Sequence, residues 1–367
     1  MKTRYVVVIM LLVGIISLMS CQTKEVTSAK VYIQQDNWEK AIEQLETAVK
    51  LYPNDAEAHH LLGEGYANQG EWDKMNQMFQ KSLEISPQFE QQIKNTREKN
   101  WVTNFNSGVN RINGNDLDGA IEKFKTCIVI DSQKVEAYRN LAIAYTKKDQ
   151  LEDAKAIYGK AIKIEPDNLE LVQALAVLHF EAKEFDKVVE LEKKALERNP
   201  DDTDAIANLA LAYDYLGEKQ QALENYQKAL EKNPEDTDLL FNLARLHYMN
   251  EKYENAIELF TKVINAKPDD YDANVNVGNA YLSMADILRK KLVEKENNNE
   301  TVTQEERDHL ISFYSKSIEP LEKAMSIQPD NPNSVNIWNN LGVAYIQKGD
   351  KDKGAACFKE AEELQNK

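Results

Sequence analysis

Five asparagines at a repeating spacing are the side chains in this chain best suited to holding something. Asn140, Asn208, Asn242, Asn276 and Asn340 each stand immediately before a leucine or valine (Leu141, Leu209, Leu243, Val277, Leu341). Asn106 takes the same place in a less regular stretch, and Leu61 and Ala174 break the series. A primary amide both donates and accepts a hydrogen bond, so a column of amides can pair with an extended backbone of any sequence. The plainer alternative is that they tie neighbouring turns of the protein together.

Catalytic chemistry finds no such pattern. There is no glycine-rich phosphate loop, no His-x3-His or Cys-x2-Cys spacing and no nucleophile elbow. The sequence therefore predicts no enzyme, no catalytic residue, no metal and no cofactor. Of the five histidines, His59 and His60 are adjacent, hence on different sides of a helix and a poor metal pair. His179 and His247 share a position with Tyr145 and Tyr213 in a repeating pattern, which points to packing. Cys127 and Cys357 fall in distant parts of the chain and read as buried free thiols. The balance of 45 basic against 61 acidic residues, a net charge of −16, speaks against nucleic acid, whose binding depends on neutralised phosphates.

The elements that must carry the amides are set by a period of 34 residues, without drift, from Val135 to Pro268. Tyr138, Val172, Ile206 and Leu240 share one column, and Ala142, Ala176, Ala210 and Ala244 another. Later in each unit Ala154, Val188, Ala222 and Ala256 align, followed by Tyr158, Glu192, Tyr226 and Phe260. Pro166, Pro200, Pro234 and Pro268 close the units. Apolar residues at helical spacing in two blocks make each unit a helix–turn–helix. The prolines push the residue before them out of helical geometry. Asp167, Asp202, Thr203, Asp236 and Thr237 follow as candidate caps of the next helix. One unit cannot bury its apolar face alone, so stacking completes the core.

These columns resemble the tetratricopeptide repeat, clearest in Trp338-x2-Leu341-Gly342-x2-Tyr345 with Phe358 and Ala361 after it. The resemblance implies an all-α, right-handed superhelical solenoid of about nine units, whose first helices line a concave groove. It also implies an asparagine ladder of the kind some family members use to hold an extended peptide. Around that column the groove should display Arg139, Arg245, Phe180, Tyr215, Phe241 and Tyr248, the aromatics forming a semi-exposed apolar stripe. Acids at the starts of the same helices (Glu136, Glu170, Asp204, Asp238, Asp272) would line one rim or simply favour the helix N-termini. The family's clamp for chaperone C-termini needs Lys and Asn four positions apart and then a Lys/Arg pair further on; here Arg139 is followed by Ile143, which does not support that mode.

The start of the chain has its own pattern. Lys2 and Arg4 precede an apolar run to Met19, which reads as a secretory signal. Leu18-Met19-Ser20-Cys21 resembles the lipobox of bacterial lipoproteins, implying that Cys21 is acylated and becomes the mature N-terminus. Gln22, where retained inner-membrane lipoproteins carry Asp, points to the outer membrane. Removing residues 1–20 makes the remainder two charges more acidic than −16.

The expected organisation is a signal at 1–20, a lipidated cysteine and tether at 21–28, and irregular repeats at 29–134. Four regular repeats at 135–268 follow, then a repeat at 269–334 carrying a helical-hairpin insertion near 286–311, and a last repeat and cap at 335–367. Met75 and Ser82 depart from the pattern and predict looser packing there. Residues 89–100 should lengthen the helix that follows, Thr303-x-x-Glu306 reads as a capping box, and Pro320 should kink the helix returning from the hairpin.

The function this predicts is a non-catalytic, lipid-anchored scaffold that binds a protein segment along its groove in a bacterial envelope, in assembly of an envelope complex. The alternative is a glycan- or nutrient-binding lipoprotein of an uptake system, with Tyr215, Phe241 and Tyr248 stacked on sugar rings.

Overall fold

The computed structural model describes residues 23–329 and 331–366; Cys21 and the signal segment lie outside the described residues. Eighteen α-helices follow one another in pairs, with a single 3-10 turn and no strand among the described residues. They are α1 (Lys24–Gln34), α2 (Trp38–Leu51), α3 (Ala56–Gln69), α4 (Trp72–Ile85), α5 (Glu90–Asn113), α6 (Leu117–Ile130), α7 (Val135–Lys147), α8 (Leu151–Ile164) and α9 (Leu169–Glu181). Then come α10 (Phe185–Arg198), α11 (Thr203–Tyr215), α12 (Lys219–Lys232), α13 (Thr237–Met249), α14 (Tyr253–Ala266), α15 (Tyr271–Asn297), α16 (Gln304–Ile327), α17 (Ser334–Lys348) and α18 (Lys351–Gln365). Odd-numbered helices are thus the first, and even-numbered the second, of nine repeats. The contacts divide the chain into two compact units, with the boundary after Leu171, inside α9.

In both units most helices pack on the next in sequence, as a helical-repeat solenoid requires; between α4 and α5 the 3-10 turn intervenes and touches both, and α4 also reaches α6. The small-residue columns lie at the points of closest approach: Ala142, Ala176, Ala210 and Ala244 are all buried, as are Ala154, Val188, Ala222 and Ala256. In most repeats a bulky residue sixteen positions after the inner small one fills the space beside it; the eighth uses Leu321, beyond its hairpin, and the fifth has Glu192 instead. A Cβ added at Gly63 would stand 2.5 Å from the Phe79 ring, and at Gly108 2.7 Å from Phe124. At Gly342 it would stand 2.8 Å from Phe358. These pairs of helices are keyed by the small-against-large contact.

The turn inside each pair has a fixed backbone. Asp36, Gly70, Asn115, Asp149, Lys183, Gly217, Glu251 and Gly349 all have positive φ. Only three of the eight are glycines, so the rest hold the left-handed conformation at a cost. The turn between pairs is set by N-caps. Asp55, Asp202, Asp236 and Asp270 accept from the amides of Ala58, Ala205, Leu239 and Ala273. Thr203 and Thr237 are instead the first helical residues. In the fifth repeat the bond to Leu171 comes from Asn168, one residue after the expected Asp167.

The first unit contains α1–α8. Met75 and Ser82 are fully buried, and the Ser82 hydroxyl donates to the Ala56 carbonyl at 2.8 Å. The expected looseness is absent because a polar anchor replaces the alanine contact. Residues 89–100 lengthen α5 to 24 residues, preceded by a 3-10 turn at Pro87–Phe89. Phe89 of that turn stacks on His60 at 4.7 Å, and His59 Nδ1 donates to the Asp55 carbonyl at 2.9 Å. Both histidines are buried, and burial lowers the pKa of His60. Cys127 is a buried free thiol here, as Cys357 is in the second unit.

The second unit holds most of α9 and all of α10–α18. Its largest departure from the period is the antiparallel pair α15 and α16, of 27 and 24 residues. Ala285, Leu292, Phe313 and Tyr314 are buried in this pair. At its tip Thr303 and Glu306 form the capping box, and Lys295 pairs with Glu306 at 2.5 Å. Helix α16 runs through Pro320 without a break in its span. Successive first helices touch along this unit (α11 with α13, α13 with α15, α15 with α17), whereas successive second helices make at most glancing contact. The odd helices therefore present one face on which groups from neighbouring repeats meet.

Candidate partner-binding face

The five asparagines of the sequence column do not behave alike. All are half-buried. Asn140 and Asn276 donate to the carbonyl four residues back in their own helices, at 2.9 and 2.8 Å. Asn340 donates to the Asn279 side chain at 3.0 Å, across from α17 to α15. Asn208 donates to the carboxylate of Glu192 at 3.0 Å. Asn242 lines an open cavity of about 390 Å³ together with Phe241, Asp238, Asp270 and Asp272. The amides thus divide between tying the structure together and facing open space, as a local choice at each repeat.

The two arginines are engaged as well. Arg139 pairs with Glu170 at 2.8 Å in the first unit. In the second unit Arg245 pairs with the buried Asp214 carboxylate, toward which the Tyr226 hydroxyl also points at 3.5 Å. Burial and the Asp214 charge raise the Tyr226 pKa, so this phenol stays protonated.

The aromatics form clusters rather than a free stripe. Phe180, Phe185 and Tyr215 pack together, with the Phe185 and Tyr215 rings stacked at 4.7 Å. Tyr215 still shows 60% of its surface. Phe241 meets Phe260 edge-on at 5.2 Å. Tyr248 meets Tyr253 edge-on at 5.3 Å, and its hydroxyl bonds Ser283 at 3.3 Å. Tyr248, Asn279, Ser283, Asp286 and Asn340 then share a larger open cavity, of about 610 Å³.

These cavities bring together Asn242 with Phe241, and Asn340 with Tyr248, on the odd helices of the second unit. Their charged lining is mainly acidic: Asp238, Asp270 and Asp272 in one, Glu251 and Asp286 with Lys290 in the other. Such a surface complements a basic or amide-rich segment. Among the described residues no group of three or more His, Cys, Asp or Glu could hold a metal, and no helix is long and apolar enough to cross a membrane.

Sequence reasoning passed over Glu192 and Asn279. Glu192 was visible as the one acid in the column Tyr158, Tyr226, Phe260, yet an acid on a helix is ordinarily solvated. Here it is fully buried. Asn279 lies outside every column and gave no signal.

Comparison with known proteins agrees with the architecture. Sequence profiles described as tetratricopeptide repeat match residues 58–93, 114–176, 147–212, 208–282 and 335–367, and one described as TPR repeat matches 29–70. No curated protein sequence matches the chain. Similar solved structures include a tetratricopeptide repeat protein from Parabacteroides merdae, at 18% identity and a TM-score of 0.49, covering 72% of this chain and 93% of that one. YrrB, described as having an unusual peptide-binding site, is 23% identical over 59% of this chain and 98% of its own, with a TM-score of 0.44. MamA is 21% identical over 52% of this chain and 95% of its own, with a TM-score of 0.42. With repeat matches over most of its length and helix pairs throughout, the chain belongs to the tetratricopeptide repeat family.

Proposed function

We propose that this protein is a non-catalytic docking scaffold that holds a segment of a partner protein along the odd-helix face of its second unit. The observation that carries this reading is the pair of open, acid-lined cavities in which Asn242 stands beside Phe241 and Asn340 beside Tyr248. Amides offer sequence-independent backbone pairing, and the neighbouring acids favour a segment with basic side chains. Tethering is part of the proposal: the lipobox-like Leu18–Cys21 supports acylation of Cys21 and placement at a bacterial envelope membrane, with the outer membrane favoured by Gln22. A role in assembling an envelope complex follows from a scaffold so placed.

The sugar-stacking alternative has less support. Phe241 and Tyr248 are engaged edge-on by neighbouring rings, and one face of Tyr215 is covered by Phe185. Stacking on a sugar takes a free, exposed face, and of the three rings Tyr215 alone is exposed.

Two experiments test the halves separately. A charge-reversed variant, Asp238→Lys with Glu251→Lys and Asp272→Lys, should lose at least tenfold in retention of the partner recovered with the wild type. Equal retention by a variant of unchanged circular dichroism removes the docking face from the reading. Cys21→Ser should move the chain from the membrane to the soluble fraction, and membrane retention of that variant refutes the anchor.

A further inference from the structure

The fifth repeat breaks the small-against-large rule that keys the others. Its inner small residue is Ala176, and sixteen positions on, where the sister repeats have Tyr158, Tyr226 and Phe260, it has Glu192. A glutamate is shorter than a tyrosine, and a cavity of about 320 Å³ opens in the vacated space. Its wall is apolar, made by Val177, Phe180, Val188 and Leu211. Its polar lining includes Glu192 and Asn208, and the Asn208 amide donates to the Glu192 carboxylate.

That carboxylate is in an unusual state. Glu192 has no exposed surface, and its Oε1 accepts from Asn208 at 3.0 Å. Its Oε2 has no hydrogen-bond partner in the protein. A buried acceptor without a donor is costly, more so when charged, so a donor brought to this atom is favoured. No basic residue lines the cavity, and Glu181 adds a second acid at its edge. Asp202 and Asp204 contribute further negative charge nearby. The whole chain carries −16, so a cationic visitor is favoured at long range too.

The geometry points to a specificity pocket that takes one lysine or arginine side chain of the docked segment, its stem against Val177, Phe180 and Leu211 and its cationic head on Glu192. Long basic side chains suit such a site because they combine an apolar stem with a charged tip. Val177, half exposed at 51%, leaves the cavity wall reachable from solvent. Burial and the neighbouring acids push the Glu192 carboxyl up to about 7, so an incoming cation also drives it to ionise. The pocket rests on the docking reading above but is tested apart from it.

The test is calorimetric titration of the full chain with Nα-acetyl-arginine methylamide and Nα-acetyl-lysine methylamide, with the neutral citrulline analogue as control. One of the cationic probes should saturate, with the citrulline analogue at least tenfold weaker. Glu192→Gln should weaken the cationic probe at least tenfold. Glu192→Tyr, which refills the cavity as in the sister repeats, should abolish binding, with both variants melting at or above the wild-type temperature. Equal binding of citrulline, undiminished binding by either variant, or no saturation by either cation up to tens of millimolar overturns the pocket. Loss of the pocket while Phe241 and Tyr248 still crosslink to a partner leaves the docking face standing. Probe binding without any crosslinked partner leaves a small-cation site and removes the docking face.

Discussion

Replacing Glu192 by glutamine should stabilise the protein in alkaline but not in acid solution. The carboxyl is raised from an ordinary 4.5 to about 7, first by burial and then by the charges of Asp202 and Asp204, with the Asn208 bond opposing. Between those two values the native state holds a proton that the unfolded chain has released, so wild-type stability falls as pH rises through this window. At 1.36 kcal/mol per pKa unit, the difference amounts to roughly 3 kcal/mol above pH 7. Glutamine has nearly the same shape and no charge, so its stability lacks this dependence, and every other titrating group is common to both proteins. The variant should match the wild type near pH 4.5 and exceed it by about 3 kcal/mol at pH 8. Repeat arrays open locally, so the assay is amide exchange in α10 and α11, corrected for the intrinsic pH dependence of exchange. Protection there should be about 100-fold greater in the variant at pH 8 and equal at the acid end. A wild-type to variant difference that stays constant from pH 5 to pH 8 refutes the reasoning.

Other consequences follow from single contacts. A Cβ at Gly278 would stand 2.4 Å from the side chain of Leu321, so Gly278→Ala should cost about 1–3 kcal/mol in urea unfolding, and a neutral effect contradicts the keyed packing. Glu251 has φ of 58° where the sister turn uses Gly217, so Glu251→Gly should stabilise by up to about 1 kcal/mol, and destabilisation would count against a strained turn. The bond from Lys295, with the Thr303 amide, lowers the Glu306 carboxyl to about 2. The support it gives the hairpin tip is full above the ordinary 4.5 and is lost only as pH falls through about 2, so the Thr303 amide resonance should titrate near 2, and a midpoint near 4.5 breaks the capping box.

Much of the fold was legible because helix pairing repeats the same physical demand every 34 residues. The column residues, the long α5, the hairpin and the Thr303–Glu306 box could each be read from local pattern. Side-chain partners could not. Asn140 and Asn276 bond within their own helices, whereas Asn208 and Asn340 reach across to another, and the difference depends on what the neighbouring helix offers. Ser82 looked like a packing defect until its bond to Ala56 supplied what an alanine would not. Glu192 was plain as an exception to its column, but its burial depends on the walls that α9 and α11 build around it. Tyr248 looked free for stacking and instead bonds Ser283, thirty-five positions along the chain.

The most direct test of the docking face is in-cell photocrosslinking from Asn208, Phe241 and Tyr248, with a probe at Asn298 on the hairpin tip as control. One dominant envelope protein captured from all three positions, and not from Asn298, is the predicted result. Strong capture at Asn298 with diffuse or absent adducts from the other three would contradict the account and move the binding surface to the hairpin.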